Sequence, residues 1–253
     1  MNSILLPCSL ILQPHHHLQP STSRICHRVP FFSSGSGSVT FSSSSLHCQQ
    51  SSNDVSVIRF EDFVEKDWSF LDFNDLKSRE EHKKKMSRII SAGKIEESSK
   101  VMVSIGSEEF VDELVETSPC SVLVVVHDSL FILACIKEKY EKVKCWQGEV
   151  IEVPEKWGPL DVVFLYFVPA LAIELDEVFG KLAKHCLKKG GRVVISQTEG
   201  RQVLEQQRKE YGDVIVSELP DKRSLLNIAA HNSFQLTHYV DEPGFYLAVL
   251  LNV

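Results

Sequence analysis

The sequence predicts one α/β domain built on a doubly wound, mostly parallel seven-stranded sheet that closes with an antiparallel hairpin. Three observations lead there. From about residue 100, short buried β-runs alternate with helical runs, a pattern that places helices on both faces of a parallel sheet. Asp128 ends the second apolar run, 22 residues after Gly106. One helix and its return fill about that distance between a glycine turn and an acid at the next strand tip. Finally, Phe234–Val240 and Phe245–Leu251 are strand-like and separated only by Asp241-Glu242-Pro243-Gly244, a hairpin-like turn.

In chain order, residues 1–53 stand apart. They hold fourteen Ser, no Asp, Glu or Lys, and only Arg24 and Arg28 as firm charges. That composition marks an organelle transit peptide, and its low Arg content points to a chloroplast and residence in the stroma. The apolar stretch Leu5–Leu12 is broken by Pro7 and too short to span a bilayer. Residues 54–99 read as an amino-terminal arm and helix. In the arm, Phe60, Phe63, Trp68, Phe70 and Phe73 are interleaved with acids, as expected of aromatics that pack on a core or of a lid over a site. The helix carries a capping box Ser78-x-x-Glu81, an inner face of His82, Met86, Ile89 and Ile90, and Gly93 as its stop.

Residues 100–253 form the main domain. Val101–Ile105 reads as a strand, Glu108–Glu116 as a helix, Ser121–Val126 as a strand and Ser129–Tyr140 as a helix. A short strand near Val143–Trp146 precedes the strongly apolar strand Asp161–Phe167. Ile173–Leu187 has a clear helical face, stopped by Gly190-Gly191 before the strand Arg192–Ser196.

Without residues 1–53 the chain has 25 Lys and Arg (27 less the two arginines) against 34 acids, a net charge of −9. An acidic body argues against nucleic acid as a partner, because backbone binding needs clustered cations. No later apolar run reaches the length of a membrane span. Cys120, Cys135, Cys145 and Cys186 show no Cys-x-x-Cys and no paired His spacing, so no metal site is expected.

Four stretches together resemble the class I S-adenosylmethionine-dependent methyltransferases, over about residues 85–253. These are Val125-Val-His-Asp-Ser, Cys145-Trp-Gln-Gly-Glu-Val-Ile-Glu-Val-Pro, Leu160-Asp-Val-Val-Phe and Leu187-Lys-Lys-Gly-Gly-Arg-Val-Val-Ile-Ser. The resemblance implies S-adenosylmethionine as cofactor, with Asp128 on the ribose hydroxyls, Glu149 at the adenine amino group, and Ser104, Gly106 and Ser107 in the first loop. That loop departs from the family pattern of an acid followed by Gly-x-Gly-x-Gly. Ser104 stands for the acid, Glu108 for the middle glycine and Phe110 for the last. A bulky residue held at φ > 0 there would cost roughly 1–2 kcal/mol and its side chain would fill the pocket. In compensation, Glu108 or Glu109 offers an anion to the cationic methionine end of the cofactor.

No catalytic residue stands out. The family's amino-transfer signature Asn-Pro-Pro-Tyr is replaced by Leu165-Tyr-Phe-Val-Pro169, where Tyr166 reads as a core tyrosine. Two functions follow: a plastid methyltransferase acting on a small-molecule acceptor, or a catalytically inactive methyltransferase-fold protein serving as a binding or scaffold subunit for a protein partner.

Overall fold

A computed structural model describes residues 39–41, 56–58, 65–71 and 76–253 of the 253-residue chain. The rest of residues 1–53, and Phe60, Phe63 and Phe73 of the arm, lie outside the described residues. Val39–Phe41 and Ser56–Ile58 pair as a short antiparallel ribbon.

The main sheet has seven strands: β1 (Lys100–Ser104), β2 (Val122–His127), β3 (Lys144–Gln147), β4 (Leu160–Leu165), β5 (Leu187–Gln197), β6 (Phe234–Glu242) and β7 (Phe245–Asn252). They lie in the spatial order β3-β2-β1-β4-β5-β7-β6, the first five parallel and β7 antiparallel to both neighbours. The fold class is therefore as the sequence predicts. Residues Val101–Val103, Val124–Val126, Val163–Phe164 and Val193–Ile195 are wholly inaccessible, as expected for parallel strands covered on both faces. The helices are α1 (Leu76–Gly93), α2 (Glu108–Thr117), α3 (Leu130–Lys139), α4 (Leu175–Lys181), α5 (Gly200–Glu210) and α6 (Lys222–His231). Strand order reverses between β1 and β4, and ligands of open α/β sheets collect beyond the strand tips at such a switch point.

Several local features differ from the sequence reading. Helix α1 starts at Leu76, so Ser78 lies inside its first turn and cannot be the cap. It does end at Gly93, but the left-handed residue is Lys94 (φ 50°). Gly93 is needed instead for close approach, since a Cβ there would sit 2.6 Å from Phe164 Cζ. The helix expected over Ile173–Leu187 is shorter: α4 ends at Lys181 and a single π-turn, Leu182–Cys186, leads directly into β5. Leu187 already pairs with Leu160, and Gly190 (φ 78°) and Gly191 make the irregularity before Arg192 pairs with Val162. At the terminal hairpin, Pro243 and Gly244 (φ 79°) join Glu242 to Phe245, with proline and glycine at the corners where a type II turn takes them.

Candidate ligand site at the strand tips

The first loop is where sequence and structure diverge most usefully. Helix α2 begins at Glu108, with Ser107 as N-cap accepting from the Phe110 N–H at 3.2 Å. Glu108 and Phe110 are thus ordinary helical residues, and the left-handed strain expected of them does not arise. It falls on Ile105 (φ 54°), a β-branched residue that rarely adopts that conformation. Phe110 is fully buried beneath the switch point, its ring 4.3 Å from Tyr166 and 5.6 Å from Phe164. Its side chain is core. Glu108 points to Lys139 at 3.0 Å, and Glu109 lies 3.8 Å from Arg79. A Cβ on Gly106 would lie 2.5 Å from Val103 Cγ1, so the packing of its own strand already demands glycine there.

Asp128 and Glu149 follow the tips of the adjacent strands β2 and β3. Gly148 (φ 132°) turns the chain between them, its N–H donating to His127 O at 3.3 Å. Burial raises the Asp128 pKa and the Lys66 ammonium donating to Oδ2 lowers it, leaving the carboxyl below its ordinary value. Burial, Glu152 and Asp128 raise that of Glu149, so the two carboxylates sense one another. Asp128 Oδ2 accepts from Lys66 Nζ at 2.9 Å, while Oδ1 is buried without a hydrogen-bond partner. Asp128 does not cap α3; Ser129 does, its hydroxyl accepting from the Ile132 N–H at 3.2 Å.

His127 is inaccessible, and its Nδ1 accepts from the Ser129 N–H at 2.9 Å. That bond places the ring proton on Nε2, so the 3.3 Å approach of Nδ1 to Asp128 Oδ1 joins two acceptors and is not a hydrogen bond. Nε2–H has no partner, nor has the indole N–H of Trp68, whose ring meets the His127 ring edge-on at 4.5 Å. Ser104 Oγ, where the family acid is expected, is likewise buried and unpartnered. An unmet buried polar group costs about 1–3 kcal/mol. Such a concentration around the tips of β1 and β2 fits donors and acceptors supplied by a ligand. Beside them, a cavity of about 270 Å³ is lined by Trp68, Ser107, Glu108, Ser129, Phe131 and Ile132. The site thus brings together Ser107, Asp128 and its neighbours, with Glu149 on the next tip and Ser104 buried at the end of β1.

The tips of β4 and β5 are different. Tyr166 donates its backbone N–H to Ser104 O at 3.1 Å, bridging the switch point. Its hydroxyl lies 3.4 Å from His82 Nε2, against the hydroxyls of Ser107 and Thr198. Burial pushes the phenol pKa up, and burial with the nearby Lys85 charge pushes His82 down to about 4. Both are therefore neutral near pH 7, which suits a packed polar contact and not a proton-transfer pair.

Arg201 and Arg208, after β5, are also committed. Arg201 donates to Asp241 at 2.9 Å and to the carbonyls of Leu219 and Pro220, and Arg208 to Glu218 and Ser217 O. These two arginines hold the loop between α5 and α6 and the end of β6. The sequence reading did not single out Lys66 as a partner of Asp128, and no residue spacing signals a contact across 62 positions. It left the aromatic arm open between lid and core packing.

No family model matches the chain, and no curated protein matches its sequence. Solved structures do match. A complex of the Haloferax volcanii Trm112 methyltransferase activator with a putative methyltransferase aligns at TM-score 0.57 and 12% identity, covering 70% of this chain and 92% of that one. Geranyl diphosphate C-methyltransferase from Streptomyces coelicolor A3(2) aligns at 0.54 and 12%, covering 70% and 81%. Magnesium protoporphyrin IX methyltransferase from Synechocystis PCC 6803 aligns at 0.52 and 12%, covering 72% and 90%. The fold is that of the class I methyltransferases. No helix among the described residues is long and apolar enough to cross a membrane.

Proposed function

We propose that this chain binds S-adenosylmethionine at the tips of β1 to β3 and transfers its methyl group to a small-molecule acceptor in the plastid. The observation that carries the reading is Asp128: a carboxylate at the tip of β2 with Oδ1 buried and unpartnered, beside Glu149 on the next tip. A carboxylate accepts two hydroxyl donors, the demand of a ribose, and the buried N–H groups of His127 and Trp68 supply donors for acceptor atoms. The chain's residues therefore fit an adenosyl group. When bound, that cofactor supplies an electrophilic methyl group on a sulfonium. Asp128 and Glu149 would grip its adenosine end, and the acids Glu108 and Glu109 at the start of α2 favour its cationic end.

Lys66 does not obstruct this. The Lys66–Asp128 pair is 40% and 35% exposed, and such pairs contribute about 0–1 kcal/mol, which a ligand readily offsets. For the acceptor, a cavity of about 580 Å³ lies between the loop after β4 and the loop joining α5 to α6, lined by Leu171, Ile173, Val216, Leu219 and Ile228 among others. Its size is that of a small-molecule site. The three solved relatives include two named for small-molecule acceptors, which supports the same class here. Methyl transfer would then rely on holding the acceptor in line, since Tyr166 and His82 are neutral core groups.

A second reading is a non-catalytic binding subunit. It is favoured by one specific observation, the direct start of α2 at Glu108 with Ser104 in place of the acid, which removes the glycine loop. A thermal-shift titration of the recombinant chain with millimolar S-adenosylmethionine separates the two. Stabilisation of a few degrees is expected, and none leaves only the second reading. The transit peptide over residues 1–53 and the chloroplast stroma as destination are part of the proposal. A reporter fused to residues 1–60 that stays in the cytosol overturns them.

A further inference from the structure

We infer that Lys66–Phe70 is a strap belonging to the ligand site, with Lys66 holding Asp128 until a ligand exchanges for it. The inference rests on the adenosyl-binding reading above. The segment crosses the strand tips through three contacts. Lys66 Nζ meets Asp128 Oδ2 at 2.9 Å beyond β2, Trp68 packs on His127 at 4.5 Å, and Phe70 lies 5.3 Å from Phe167 beyond β4 and 4.8 Å from Tyr211. These contacts are unequal in kind. Trp68 is 7% exposed and Phe70 packs against two rings, so this end is anchored by apolar burial. Lys66 is 40% exposed on a flexible stem, and a half-hydrated ion pair is the weak end.

The chemistry of the weak end matches what a ligand would bring. An ammonium offers donors only, as ribose hydroxyls do toward a carboxylate, so Lys66 satisfies one oxygen of Asp128 in the same way. It leaves buried needs of both kinds beside it: Asp128 Oδ1 and Glu65 Oε1 wanting donors, and the N–H groups of Trp68 and His127 wanting acceptors. Acceptors and donors side by side are the complement of a ribonucleoside, which carries hydroxyls and ring nitrogens, and not of a simple anion or cation. Because Trp68 belongs to the strap and His127 to β2, a ligand reaching both would join the strap to the sheet while it releases Lys66.

The test uses the full chain and S-adenosylhomocysteine as probe. In the ligand-free protein, amine acetylation read by mass spectrometry should modify Lys66 several-fold faster in Asp128→Asn than in the wild type. Saturating probe should produce the same acceleration in the wild type. By calorimetry, Lys66→Met should bind the probe about two- to fivefold more tightly than wild type, because a competitor for Asp128 is gone. Equal Lys66 labelling in wild type and Asp128→Asn overturns the strap whatever the ligand. Equal or weaker binding by Lys66→Met overturns it while leaving the adenosyl reading intact. No heat from either protein overturns both.

Discussion

The two halves of the sheet's ligand edge are built to different ends. At the tips of β4 and β5, Tyr166, Phe110, Phe164 and His82 are buried against one another, and the nearby arginines are bonded to carboxylates and carbonyls. At the tips of β1 and β2, Ser104 Oγ, Asp128 Oδ1, His127 Nε2 and the Trp68 indole N–H are all buried without hydrogen-bond partners. Packing meets the polar groups at the first pair of tips, where the buried atoms left unmatched, Gln207 Oε1 and Arg208 Nε, lie further along α5, and the other half keeps a cluster at the tips themselves that protein groups do not meet. The difference teaches where a polar ligand such as an adenosyl group belongs: on the side where structure alone leaves a cluster of polar groups unmatched at the strand tips.

The contrast can be broken by substitution. Phe110→Ala should act on stability, because the ring is wholly buried in the core beneath the switch point. A loss of about 3–5 kcal/mol in urea unfolding is expected. A loss below about 1 kcal/mol would mean that Phe110 borders an open pocket after all.

His82 sharpens the same side through pH. Its folded pKa of about 4 lies below the ordinary 6.5, so the unfolded chain binds the proton more tightly. Stability is therefore fully present above about pH 6.5 and is lost as pH falls toward 4. Between pH 7.5 and 5 the wild type should lose about 1–2 kcal/mol more than His82→Gln. Equal losses would remove His82 from the packed half.

Glu149 sharpens the other side. Its pKa is raised while that of Asp128 is lowered, so of this pair Glu149 protonates first as pH falls. Affinity for an adenosyl ligand should weaken on acidification through a pKa above 4.5, by about 0.5–1.5 kcal/mol for one hydrogen bond. Glu149→Gln should show a flatter acid limb. An unchanged limb would place the titration elsewhere.

Much of this was legible in the sequence. Alternating apolar runs, the 22-residue interval from Gly106 to Asp128 and the Pro-Gly turn are local signals, and strand order follows from them with little freedom. The first loop was legible only in part. Its missing glycines are plain, but that Glu108 and Phe110 would join a regular helix capped by Ser107, leaving Ile105 to take the left-handed turn, depends on packing beneath the sheet. The early end of α4 has a similar cause: the pairing of Leu187 with Leu160 overrides a helical face that continues in the sequence. Lys66 was illegible because contact between residues so far apart is a tertiary fact with no periodic trace.

Asp128 is proposed as a ligand-gripping acid and not a structural one, and calorimetry with S-adenosylhomocysteine on wild type and Asp128→Asn tests that most directly. Saturable binding by the wild type is expected, with a loss of roughly 1.5–3 kcal/mol, about ten- to a hundredfold in affinity, in the variant. Folding stability should change by no more than about 1 kcal/mol, since the Lys66 pair is half exposed. Equal affinity in the two proteins, or no binding by either, would contradict it.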